Sequence, residues 1–245
     1  MVKNPLQSLL VLLAVLSSQV IHAQADLPSK GKLIYQNSLS EEAAMAQWIM
    51  EGPGRVEHAG DWMIMDSPNE KGHHVYWAPV QLPGSFMATW EVQNIDTDLG
   101  LCIVFFAAKG KNGQDIFDPA FPKRDGTFKQ YTQSKFFNNY HISYYANAKG
   151  KKGREVAHLR KNSGFDKVQV GESGIPITST DIHNITLVKN GPRIIMLVDD
   201  KKIIDWEDDG KTFGPVLADG RIGLRQMKWT RCKYKNLNVW ELTKQ

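Results

Sequence analysis

Residues 182–206 constrain the fold of this chain more than any other stretch. IHNITLVK (182–189) runs into Asn190-Gly191-Pro192, then RIIMLV (193–198), Asp199-Asp200-Lys201-Lys202 and a further apolar run at 203–206. Asn-Gly between β-branched runs is a strong hairpin signal, because both residues tolerate the positive φ of a tight turn; Asp-Asp is a weaker one. Residues 221–225 and YKNLNVWEL (234–242) continue the series. Upstream, SFMATWEV (85–92) and LCIVFFA (101–107) read as longer strands. The second is almost continuously apolar, as expected of a strand buried on both faces. Many antiparallel strands with few helices predict an all-β fold, a jelly-roll β-sandwich of two antiparallel sheets.

Shorter segments at 33–35, 55–58, 62–65 and 75–77 sit between Gly- and Pro-containing breaks, and residues 41–49 predict one or two helical turns. Residues 109–134 form an excursion rich in Gly, Asp, Pro and Lys, long enough to suggest a functional loop. No Pro- or Ser-rich linker divides the chain, so residues 26–245 are expected to form a single domain.

Residues 1–25 carry a different message. Lys3 precedes an apolar LLVLLAVL (9–16) too short to span a bilayer, and Ala23-Gln24-Ala25 offers a signal-peptidase site. The expected product is a secreted or periplasmic protein with no remaining membrane span. The formal charge is +4, and Lys3 is the only charged residue of the leader, so the mature chain carries +3. That is too mild for a nucleic-acid-binding face. Cys102 and Cys232 are the two cysteines. They can pair in an oxidising compartment or remain buried thiols, and without a Cys/His cluster they do not form a zinc site.

Chemistry concentrates around KFFNNYHISYYAN (135–147). Tyr140, Ile142 and Tyr144 alternate with His141, Ser143, Tyr145 and Asn147, so a strand there would bury one set and present the other. The second set is an imidazole, a hydroxyl, a phenol and an amide, able to hydrogen-bond a polyhydroxylated ligand and to supply acid and base groups. An ordinary half-buried strand with a polar solvent side has the same pattern.

FFAAKG (105–110), DIFDPAF (115–121), YHISYY (140–145), RKNSGF (160–165) and DWEDDGKTFGP (205–215) together resemble the bacterial YesU-like family of unknown function. The strand order ending in GRIGLR and YKNLNVW is similar to concanavalin A-like jelly rolls. The resemblance covers about residues 33–242. It implies a concanavalin-like sandwich found among bacterial genes for polysaccharide use, and it implies no particular reaction.

Retaining glucanases, which such a fold resembles, carry closely spaced carboxylates on one strand, E-x-D-x-x-E. Here Glu91 is followed by Gln93 and Asp96, so that chemistry is disfavoured and a hydrolase would need other carboxylates. A polysaccharide lyase needs a base, an acid and a group that neutralises a uronate carboxylate. His141 and Tyr145 are the candidates for proton transfer. Glu91, Gln130, Ser143, Asn147, Arg160, Lys161, Arg225 and Gln226 are the candidates for substrate binding, with His158 nearby. Lys149, Lys151, Lys152 and Arg154 add positive charge that would attract an acidic polysaccharide, although such a Gly-interrupted run is more often a solvated loop. A non-catalytic carbohydrate-binding module uses the same polar face without a poised acid or base. No motif calls for a cofactor. Asp96 with Asp98, or Asp199 with Asp200, could help to hold a structural calcium ion, and turn chemistry explains them equally well.

Overall fold

The computed structural model describes residues 27–67, 72–97, 100–147 and 155–243, so the leader and the basic run at 149–154 lie outside the described residues. The strands are β1 (Lys30–Asn37), β2 (Ile49–Glu51), β3 (Arg55–Ala59), β4 (Trp62–Asp66), β5 (His74–Leu82), β6 (Ser85–Asn94), β7 (Gly100–Gly110), β8 (Phe137–Asn147), β9 (Val156–Asn162), β10 (Asp166–Ser173), β11 (Ile182–Asn190), β12 (Arg193–Val198), β13 (Lys201–Glu207), β14 (Gly220–Gln226) and β15 (Arg231–Leu242). Two single helical turns interrupt them, α1 (Glu42–Met45) and α2 (Lys129–Thr132).

The strands form two antiparallel sheets. The front sheet runs β10-β9-β8-β7-β14-β5-β2. The back sheet runs β13-β12-β11-β6-β15-β4-β3, with β1 also paired to β15. The hairpin expected at Asn190-Gly191 is present, with Asn190 opposite Arg193, and Val198 opposite Lys201 closes the next turn over Asp199 and Asp200. Both aspartates take left-handed backbone angles, φ 48° and 65°, which Asp tolerates better than most residues.

Alternation along the strands builds the core. Phe86, Ala88, Trp90 and Val92 of β6 face Val104 and Phe106 of β7, Tyr140 and Ile142 of β8, and Ile222 and Leu224 of β14. Each such large side chain contributes roughly 1.5–3 kcal/mol by leaving water. Cys102 and Cys232 meet across the two sheets as buried thiols, their Sγ atoms 3.4 Å apart.

The front sheet is also covered on its outer side, which is why LCIVFFA is apolar at both parities. Val75, Trp77, Phe105 and Ala108 pack there against Ile116, Tyr131 and Phe137, with Phe117, Phe121 and Phe128 flanking them. The cover is the excursion after β7, and charged clamps hold it down. Arg124 grips Glu51 through two nitrogens at 2.7 and 3.0 Å, and the Trp77 indole donates to the same carboxylate at 2.9 Å. Arg221 grips Asp115 in the same two-pronged way. Gly126 comes so close to the His73 carbonyl that a Cβ would lie 1.9 Å from its oxygen, so only glycine fits. No helix among the described residues is long and apolar enough to cross a membrane.

Candidate functional site

Pairing of β8 with β9 sets His141 opposite Arg160, Ser143 opposite His158 and Asn139 opposite Asn162. Directly opposed side chains on one face lie about 4.5–5.5 Å apart at Cβ. Six polar residues therefore share a patch on the outer face of the front sheet, beside the edge of the excursion.

Hydrogen bonding within this patch defines the His141 ring. The Tyr131 carbonyl accepts from Asn139 Nδ2 at 2.9 Å, which leaves Asn139 Oδ1 as an acceptor. Asn162 Nδ2 donates to that oxygen at 2.7 Å and lies 2.8 Å from His141 Nδ1. Because Asn162 presents its NH2 group, His141 Nδ1 must accept, and the neutral ring carries its proton on Nε2. His141 is thus a hydrogen-bond donor at Nε2 and not a ready base. Its ring is almost fully buried, edge-on to Phe105 and Phe128 and stacked with Phe165 at 6.2 Å.

Arg160 is half-buried and more open. Its guanidinium lies 3.9 Å from the Phe165 ring centroid and donates to the Phe165 carbonyl at 2.8 Å. Burial lowers its pKa from the ordinary arginine value, yet a guanidinium remains charged at neutral pH. His158 is half-buried beside it. His158 and Arg160 are the partly exposed members of the patch. His141 and Ser143, expected to be presented, are almost fully buried at 2% and 4%, because Phe128 and Phe165 pack over the His141 ring. The set suited to an anion or a polyol is thus a stacked cation and an imidazole above a covered N–H donor and hydroxyl.

The other expected site residues go elsewhere. Tyr145 does not join His141. An irregularity in the β7–β8 ladder sets Tyr145 opposite Cys102 and Ser143 opposite Ile103, so Tyr144 is extra and alternation reverses beyond it. Tyr145 enters the core and donates to the Ile177 carbonyl at 3.3 Å. Asn147, at the end of the same strand, donates to the Thr97 carbonyl.

Lys161 follows Arg160 and therefore points inward. Its Nζ lies 2.6 Å from Asp208 Oδ2 and 2.7 Å from the Gly214 carbonyl. Arg225 does share the outer face but is buried under the excursion, its guanidinium carbon 4.7 Å from the Phe128 ring and Nη1 donating to the Gly126 carbonyl at 2.9 Å. Burial lowers its pKa to about 10, and its charge adds to the positive potential beneath the patch. Gln226 faces inward, its amide 3.2 Å from the Tyr234 hydroxyl. Gln130 sits on α2, where its Oε1 accepts from the Asp125 N–H at 2.9 Å, beside Arg124, Lys129 and Gln133 of the excursion.

Glu91 lies on the back sheet, bonded to Asn236 Nδ2 at 2.8 Å and 3.2 Å from Lys235 Nζ. Asp98 lies outside the described residues, Asp199 is 2.5 Å from His183 Nδ1, and among the described residues no three His, Cys, Asp or Glu side chains converge as metal ligands. Phe165, Asn139 and Asn162 are site residues that the sequence reading missed. Period-two spacing from His158 through Arg160 was the available signal for Asn162.

Residues 32–239 match the family described as a domain of unknown function, DUF1961. An uncharacterised protein, YesU, of Bacillus subtilis strain 168 is 32% identical over 213 residues, covering 86% of this chain and 96% of that protein. A crystal structure of a Bacillus subtilis protein of unknown function with a galectin-like fold superposes with a TM-score of 0.84 at 30% identity, over 89% of this chain and 100% of that one. The exoplasmic/lumenal domain of VIP36, solved with Ca2+ and Man3GlcNAc bound, shares the fold at a TM-score of 0.58 and 11% identity, over 88% and 92% of the two chains.

Proposed function

The chain belongs to the DUF1961 family, and from that premise we propose that it is an exported protein binding an acidic oligosaccharide at the β8–β9 patch of the front sheet. The supporting observation is the cross-strand set His141–Arg160 and Ser143–His158, with Arg160 held over the Phe165 ring. A uronate presents a carboxylate and several hydroxyls on a ring. Arg160 suits the carboxylate, since a planar guanidinium pairs with it through two parallel hydrogen bonds. His141 Nε2–H, Ser143 and His158 suit the hydroxyls. A fold shared with a protein solved with Man3GlcNAc bound is compatible with this reading. Export rests on the leader at residues 1–25.

Lyase-type β-elimination is a second reading, favoured by the fixed orientation of the His141 ring. Its Nε2–H suits it to hydrogen-bond the uronate carboxylate as negative charge builds there, and the leaving oxygen would take up the proton that the base has removed. The base would then be His158, because Tyr145 is in the core. Hydrolysis finds less support: Glu91 is on the other sheet and Asp208 is committed to Lys161.

Titration of the mature protein with galacturonate oligomers, at low and high salt and with ultraviolet absorbance followed, tests both. Binding that weakens with salt is expected, because a partly exposed cation is screened. Absorbance from a conjugated uronate would establish elimination. Absence of binding at either salt concentration would overturn the proposal.

A further inference from the structure

We infer that the outer face of the back sheet carries a second, separate groove for a neutral oligosaccharide. The register of β15, β6 and β11 places Lys235 opposite Glu91 and Glu91 opposite Asn184. One step along, Asn238 is opposite Thr89 and Thr89 opposite Thr186. Two adjacent rows thus cross three strands with carboxylate, carboxamide and hydroxyl groups. The front sheet differs at this level, because the excursion seals much of its outer face.

Two backbone irregularities turn this face into a trough. The β12–β13 turn, with Asp199 and Asp200 in left-handed conformation, rises on one side. On the other, the β6–β15 ladder shifts register between Lys235 and Asn238, and Asn236 takes φ 58°. The resulting groove has a volume of about 510 Å3, within the ~300–1,000 Å3 of small-ligand sites.

Local contacts pre-orient the lining, which lowers the cost of ordering it on binding. Glu91 is held by Asn236 and Lys235. Asp199 is held by the His183 ring at 2.5 Å and the Asn184 N–H at 2.8 Å. Asn184 and Asp200 remain exposed.

Charge selects the ligand class. Lys235 offsets Glu91, and Asp199 and Asp200 add two further carboxylates to the lining, so a uronate would be repelled where Arg160 on the opposite sheet attracts it. Neutral sugars supply paired hydroxyls that donate to carboxylates and exchange hydrogen bonds with Asn and Thr.

The experiment titrates the mature protein with cellohexaose, xylohexaose, mannohexaose and maltohexaose. Thr186→Trp fills the groove, and Asn184→Ala with Asn238→Ala removes two polar contacts without adding bulk. At least one probe is expected to bind, and either variant to weaken it by roughly tenfold or more, the effect of a lost hydrogen-bond set. Arg160→Ala should leave this affinity unchanged, which separates the groove from the front-sheet patch. Failure of all four probes to bind would overturn the inference, as would affinity indifferent to both groove variants.

Discussion

Replacing Asp208 with alanine is expected to lower folding stability by about 3–5 kcal/mol, the cost of stranding a buried charge. Lys161 and Asp208 have side-chain exposures of 4% and 0% and meet at 2.6 Å. The same carboxylate accepts from the Tyr140 hydroxyl and, through Oδ1, from the Gly210 N–H at 3.0 Å. Tyr140 Oη in turn accepts from the Leu217 N–H at 3.0 Å, so one carboxylate pins the loop from β13 to β14 onto β8 and β9. Burial, and then the hydrogen bond to Asp208, raise the Tyr140 pKa, which keeps the phenol a donor. Chemical denaturation of the variant measures the loss. Lys161→Met combined with Asp208→Leu should recover only the part due to the stranded lysine charge, because the Tyr140 hydroxyl and the Gly210 N–H still lose their acceptor. A loss below about 1 kcal/mol for Asp208→Ala would mean that water reaches the pair.

Arg160→Ala is expected to weaken binding of galacturonate oligomers by roughly ten- to a hundredfold, the cost of a charged hydrogen bond. Stability should change far less, because the side chain is half-buried and lies over the Phe165 ring. Arg160→Lys should recover only part of the affinity: an ammonium keeps the charge but neither stacks flat nor offers two parallel donors. Calorimetric titration of the three proteins checks this. Equal affinity in all three would remove Arg160 from the site.

How much of this was legible in the sequence depended on the range of the interaction involved. Hairpins at Asn190-Gly191 and Asp199-Asp200 are local, so their residues announced them. The two-sided burial of residues 101–107 was readable because an apolar run records both environments. Alternation likewise put His141 and Ser143 together correctly. It failed at Tyr145, because the irregularity that reverses parity arises from pairing with β7 and leaves no mark in YHISYY. Lys161 and Gln226 were grouped with Arg160 and Arg225, although consecutive residues on a strand point to opposite faces. Glu91 joins the substrate-binding candidates by residue type alone but lies on the other sheet, since sheet membership is decided by partners far along the chain. The excursion was recognised as unusual, but its fastening through Arg124 and Glu51 joins residues far apart in sequence and had no local signal.

The central claim, an acidic glycan on the β8–β9 patch, is tested most directly by nuclear magnetic resonance titration of the mature protein with a galacturonate trimer, reading the ring nitrogens of His141 and His158 and the amides of both sheets. Shifts centred on residues 141–143 and 158–162, with the His141 ring protonated at Nε2 before the trimer is added, are the predicted result. Shifts confined to the back sheet, or none at saturating trimer, would contradict it.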